Sequence, residues 1–152
     1  METWKNDRIA SALSGTNPTL IAKMNSGFVF FGDTQFLPGY CVLTGYPEVF
    51  SLNDLSLEDR AAFLTDMTIV GDAITAVLNP LRMNYEILGN SDNYLHAHIF
   101  PRYEWEEERL RKGPVAWYPL ENWSNPDYDF SKFLDLKAKL EKKLNKLMEG
   151  LE

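Results

Sequence analysis

The sequence predicts an α+β domain, an antiparallel sheet with helices flanking it. Two pairs of β-branched and aromatic runs, each pair separated by turn residues, supply the sheet. Two long stretches with apolar residues at helical spacing supply the helices. The length of 152 residues suits a single core spanning 1–152, and neither a repeat nor a linker-like change of composition divides it.

The elements follow in chain order. Trp4, Ile9 and Leu13 mark a short first helix over 2–13, ended by the breakers SGTNP at 14–18. FVFF at 28–31 and YCVL at 40–43 read as strands, and GDTQFLPG between them supplies the turn of an antiparallel hairpin. SLED at 56–59 places a serine N-cap three residues before an acid. Phe63, Leu64, Met67, Val70, Ile74, Val77 and Leu78 then continue a long helix that stops at Asn79-Pro80. MNYEIL at 83–88 and YLHAHIF at 94–100 form a second hairpin around GNSDN. Residues 103–129, charged at first and then rich in Pro, Trp and Tyr, show no period and receive no element. Phe130, Phe133, Leu134, Leu140, Leu144, Leu147 and Met148 share one face of a C-terminal amphipathic helix over about 129–149, suited to pack on the sheet or on a second subunit.

Composition narrows the function. A formal charge of −7 argues against a broad grip on a nucleic acid polymer or an anionic membrane surface. The single cysteine, Cys41, permits neither an intramolecular disulfide nor a zinc site of paired cysteines, and it suits a reducing compartment. The amphipathic N-terminus lacks the apolar core of a secretory signal, and no stretch is read as a membrane span, so a cytoplasmic protein is expected.

Both histidines of the chain lie in NSDNYLHAHIF, residues 90–100. On a strand, Tyr94, His96 and His98 share one face while Leu95, Ala97 and Ile99 share the other. Two imidazoles pointing the same way, about 7 Å apart by the rise of a strand, form either a catalytic pair or half of a metal site; a lone histidine on a strand is more often packed or at the surface. A zinc site needs three or four ligands, so carboxylates such as Asp92 or Asp33 would have to complete it. A nucleophile needs only a free ring nitrogen, with a hydrogen bond holding the other.

YLHAHIFPRY resembles the signature strand of the histidine-triad family of nucleotide hydrolases and transferases, His-x-His-x-His followed by apolar residues, with Tyr94 in place of the first histidine. GFVFFGDTQFLPGYCVLTGYPEVFSLNDLSLEDR is similar to the family's strand, ribose-binding loop, second strand and helix start, so the resemblance covers roughly 26–103. It is most similar to bacterial members described as diadenosine-tetraphosphate-hydrolase-like. The resemblance implies that His96 is the nucleophile toward the α-phosphorus of a nucleotide and that His98 contacts phosphate oxygens. A nucleotidyl-histidine would form and be hydrolysed. It further implies that Asp33 binds ribose hydroxyls, that Phe31 joins the base pocket, and that Asn90 and Ser91 lie near the phosphate or leaving group.

The first triad position carries its role either through its backbone carbonyl, which Tyr94 keeps, or through its side chain, which Tyr94 changes. Arg102, closing the motif, would approach phosphate or sit at the surface. The expected activity is hydrolysis of a dinucleoside polyphosphate or nucleoside phosphoramidate by a homodimer without cofactor or metal. Its rivals are a nucleotide-binding protein that has lost the chemistry, a metal-dependent hydrolase, and a scaffold that uses its aromatic C-terminal region for partners.

Overall fold

The computed structural model describes residues 3–151; residues 1, 2 and 152, which fall within the expected domain limits, and Glu2 of the expected first helix lie outside the described residues. Five antiparallel strands form one sheet: β1 (Leu20–Met24), β2 (Gly27–Phe31), β3 (Cys41–Gly45), β4 (Arg82–Glu86) and β5 (His96–Arg102), in the order β1-β2-β3-β5-β4. Both expected hairpins are present. β1, a short edge strand with exposed Lys23, was not expected.

The first helix divides. A 3-10 turn over Thr3–Asn6 precedes α1 (Arg8–Ser14), whose N-cap Asp7 accepts from the Ala10 N–H at 2.9 Å. Gly15, in the left-handed region at φ 76°, ends it. α2 (Leu57–Leu78) matches the expected helix at both ends: Ser56 Oγ accepts from the Asp59 N–H at 3.1 Å, and Asn79 closes the helix in a left-handed conformation. By length and composition α2 could cross a membrane, contrary to the sequence expectation that no stretch is long and apolar enough. Its apolarity has a local cause, because Phe63, Met67, Val70 and Ile74 are buried against the sheet. Asp66, also buried, accepts from both the N–H and the hydroxyl of Ser26 and ties α2 to the β1–β2 turn.

α5 (Leu134–Glu149), preceded by a 3-10 turn over Phe130–Phe133, packs on α2 and β1. Together α2 and α5 cover one sheet face, where Val29, Phe31, Leu43, Ala97 and Ile99 meet Leu140 and Leu144 in the main core. Cys41 belongs to this core, its thiol directed to the Gly39 carbonyl and its pKa pushed up by burial. That environment makes it packing rather than a reactive thiol.

The segment without sequence periodicity is held by a buried ion pair. Arg102 reaches Glu106 at 2.9 Å and also donates to Asn84 and to the carbonyls of Leu110 and Gly113. Glu106 in turn accepts from the Tyr103 N–H and the Tyr118 hydroxyl. Burial opposes the charge of Glu106, but these donors outweigh it and hold its carboxyl below the usual range. α3 (Glu108–Arg111), a 3-10 turn over Val115–Trp117 and α4 (Leu120–Trp123) are thereby laid across the second sheet face. Arg102 is thus a buried structural cation and not a surface residue or a phosphate contact.

Candidate active site on the open sheet face

Strand register defines which residues share the histidine face. His96 stands opposite Thr44, which is itself opposite Phe28; His98 stands opposite Val42, and Val42 opposite Phe30. This face is covered only at its two ends. At one end α1 packs Ile9 and Ala12 on Phe28 and Phe30. At the other, Trp123 of α4 sets its ring edge against Phe36, Tyr40 and Phe100, and the Asn122 carbonyl accepts from Thr34 Oγ1 at 2.8 Å. Between the two covers lies a cavity of about 210 Å³ whose walls include Arg8, Phe30, Asp33, Thr34, Tyr40, Val42, Asp92, Tyr94, His96, His98 and Trp123.

The two imidazoles lie closer than the strand rise suggests, with centroids 4.9 Å apart at a steep 80°, because the side chains lean together. His96 is only 6% exposed, and its Nδ1 lies 2.8 Å from the Tyr94 carbonyl. A carbonyl can only accept, so this bond places a proton on Nδ1, and in the neutral ring it leaves the Nε2 lone pair free. Tyr94 is available for this because it precedes the start of the β5 ladder, although the sequence places it inside the strand. Its ring also packs at 4.7 Å on that of His96.

His98 makes a different bond, its Nδ1 lying 2.7 Å from the Tyr40 hydroxyl. Burial, reinforced by His96 and opposed by Asp92, lowers the His98 pKa to about 4, so the ring is neutral at pH 7. Burial and the charge of Asp33 raise the pKa of Tyr40, which keeps its proton. When the phenol donates to Nδ1, the single proton of His98 sits on Nε2. When the His96 ring is also neutral, the pair presents one bare nitrogen and one N–H, an acceptor beside a donor.

Asp33 lies in the cavity wall, but Arg8 already engages it through two parallel bonds, Nη1 to Oδ1 at 2.9 Å and Nη2 to Oδ2. Burial works against the Arg8 charge; the hydrogen bonds and charge of Asp33 outweigh it and raise the pKa. Tyr94, its own pKa raised by burial and by Asp92, keeps its hydroxyl proton in the same wall. Phe31 touches the cavity, yet its side chain belongs to the core face, where its ring meets Phe130; the phenylalanine of the histidine face is Phe30. Asn90 and Ser91 are exposed on the loop before β5 and outside the cavity walls, which take Asp92 from that loop instead.

Arg8, Tyr40 and Trp123 were not singled out from sequence. Their roles depend on contacts made across the fold, and no spacing within one element signals them. Among the described residues, no group of three or more His, Cys, Asp or Glu side chains is placed to hold a metal ion.

No protein-family model matches the chain, and no curated protein matches it by sequence. Solved structures do. A histidine triad protein from Marinobacter aquaeolei VT8 superposes with a TM-score of 0.71 at 19% identity, covering 93% of this chain and 95% of that one. A histidine triad protein from Bradyrhizobium japonicum gives 0.69 at 20% identity, covering 88% and 95%. The diadenosine triphosphate hydrolase of Plasmodium falciparum gives 0.56 at 15% identity, covering 84% and 77%. The chain therefore has the histidine-triad fold, an α+β antiparallel sheet with flanking helices.

Proposed function

We propose that this protein is a histidine-triad nucleotide hydrolase in which His96 attacks the α-phosphorus of a nucleoside phosphate substrate. The observation that carries the reading is the bond from His96 Nδ1 to the Tyr94 carbonyl, within a cavity shared with His98. That bond directs the lone pair of the neutral ring to Nε2, the state a nucleophilic imidazole requires. A bond forms between Nε2 and phosphorus while the bond from phosphorus to the leaving group breaks, and the leaving group takes its proton from water. Water then attacks the nucleotidyl-histidine, breaking the P–N bond and releasing a nucleoside monophosphate.

His98, neutral and carrying N–H on Nε2, donates to the phosphoryl oxygens as charge develops on them. Tyr94 donates its hydroxyl to the same group. Asp33, whose carboxylate has more lone pairs than Arg8 occupies, accepts from the ribose hydroxyls. Phe31, Asn90 and Ser91 fit the site less well: one side chain faces the core, and two are on the exposed loop. The substrate class is a dinucleoside polyphosphate, as the hydrolase of the same fold suggests, or a nucleoside phosphoramidate. A homodimer is part of the reading. β4 forms an outer edge of the sheet, and Leu81, Tyr85 and Leu88 are exposed along and beside it, where a second copy would pair.

The test is turnover of a panel of both substrate classes together with mass spectrometry of the quenched enzyme. Wild type is expected to turn over at least one member and to carry a nucleotidyl adduct on His96. Intact turnover by His96→Ala refutes the mechanism. A second reading, nucleotide binding without chemistry, is favoured by one observation, the tyrosine where the triad begins. Its signature is saturable nucleotide binding with neither turnover nor adduct.

A further inference from the structure

The cavity has an electrostatic deficit for an anionic ligand. Its charged walls are Asp33, Asp92 and a single guanidinium, Arg8, while His98 is neutral at pH 7. Two carboxylates against one cation would repel a phosphate unless that cation faces it. Arg8 is also held in place. Asp33 grips it from one side through paired hydrogen bonds, and the Trp4 ring lies 5.2 Å from the guanidinium carbon.

The grip is incomplete in an informative way. A guanidinium carries five N–H donors, and the bidentate pair with Asp33 uses two of them. The side chain keeps 31% of its exposure and lines the histidine cavity, so it is not sealed away from a ligand. Arg8 also stands at a boundary. With Thr44, Asp92 and Tyr94 it lines both the histidine cavity and an adjoining one of about 530 Å³. A phosphoryl group beside His96 with its leaving group extending into the larger cavity would pass the guanidinium.

We propose that Arg8, contributed by the N-terminal helix, binds the phosphate of the nucleotide, and that Asp33 is the residue that positions it. The inference rests on the nucleotide site proposed above and adds the source of its positive charge. Arg8 supplies a planar, permanently charged donor where His98 supplies only a neutral N–H. Asp33 thereby acts on the phosphate through Arg8 as well as on the ribose directly.

The test compares each nucleoside monophosphate with its parent nucleoside. AMP, GMP, CMP and UMP, with adenosine, guanosine, cytidine and uridine, are titrated by NMR into wild type, Arg8→Gln, Arg8→Lys and Asp33→Asn at fixed ionic strength. Arg8→Gln is expected to weaken the bound monophosphate at least ~10-fold, in line with loss of charge-assisted bonds, and the nucleoside less than ~2-fold. Arg8→Lys, which keeps the charge and guards against a folding defect in the first variant, should lose an intermediate factor. Asp33→Asn should weaken both ligands, the monophosphate more. If wild type binds a monophosphate but Arg8→Gln and Arg8→Lys bind it unchanged, or lose nucleoside and nucleotide affinity equally, this inference is overturned and the proposed function stands. If wild type binds none of the eight ligands, both fall.

Discussion

Lowering the pH should cost this protein stability through His98, by an amount its surroundings set. In the folded chain its pKa lies at about 4, while the unfolded chain has the ordinary value near ~6.5. The unfolded state therefore takes up this proton first. The stabilisation from keeping His98 neutral and buried is fully present above pH ~6.5 and is lost progressively as the pH falls from there toward about 4. At pH 5 the two constants correspond to roughly 2 kcal/mol relative to pH 7, and at pH 4 to roughly 3 kcal/mol. The ring is partly exposed, so solvent screening trims the value at pH 5 to about 1–2 kcal/mol.

The assay is urea unfolding of wild type and His98→Asn between pH 7 and pH 4. Asparagine keeps an acceptor for the Tyr40 hydroxyl and does not titrate in this range. Carboxylates elsewhere lose their protons alike in both proteins, so the difference between the two stability curves isolates His98. Wild type should lose about 1–2 kcal/mol more than the variant between pH 7 and 5. Parallel curves, or an NMR titration that finds the His98 ring protonating near pH 6.5, would refute the reasoning and remove the neutral donor from the proposed site.

Replacing Glu106, whose side chain is fully buried, with Ala should destabilise the fold by about 3–5 kcal/mol in chemical denaturation, because Arg102 is left buried without a counter-charge. The double variant Arg102→Met/Glu106→Leu should recover part of that loss. Ser56→Ala, which removes the α2 cap, should cost about 1 kcal/mol in the same assay. Tyr94→Phe should leave the nucleotidyl-His96 adduct detectable by mass spectrometry but slow turnover by roughly 10-fold, the scale of one lost hydrogen bond to a charged group; an adduct that vanishes would show that the side chain, not the carbonyl, prepares His96. Tyr85→Lys on the β4 edge should shift a dimer toward monomer in sedimentation, with His96 chemistry retained.

Much of the scaffold was legible because its signals are local. α2 announces itself through Ser56, the acid at position 59 and the Asn79-Pro80 stop, all of which act within a turn or two of the chain. The facing of His96 and His98 follows from strand alternation alone. β1 escaped notice because LIAKM is short, carries an exposed lysine and draws its stability from pairing with β2. The fold of 103–123 could not be read from its own residues, since it is organised by Arg102 on β5 and by Phe100 and Tyr40 on the sheet. The same limit applies to the site. Choosing Phe30 over Phe31 requires the register with Val42 and His98, and Arg8 meets Asp33 across 25 residues of sequence.

The tyrosine at the start of the triad now divides into two separable parts. Its backbone carbonyl holds His96 Nδ1 at 2.8 Å, a contact that any residue at that position could make provided the chain leaves the β5 ladder there. That part of the triad's work does not depend on an imidazole. Its side chain is a phenol held in its protonated form by burial and by Asp92, so it offers a neutral O–H where histidine could offer a cation. On the proposed reading, exchanging histidine for tyrosine therefore leaves the orientation of the nucleophile intact and removes a possible positive charge from the site. Arg8 stands on the boundary that Tyr94 also lines and carries that charge permanently. On the proposed reading the work divides between the two residues: the carbonyl and hydroxyl of Tyr94 orient and donate, and the Arg8 guanidinium neutralises.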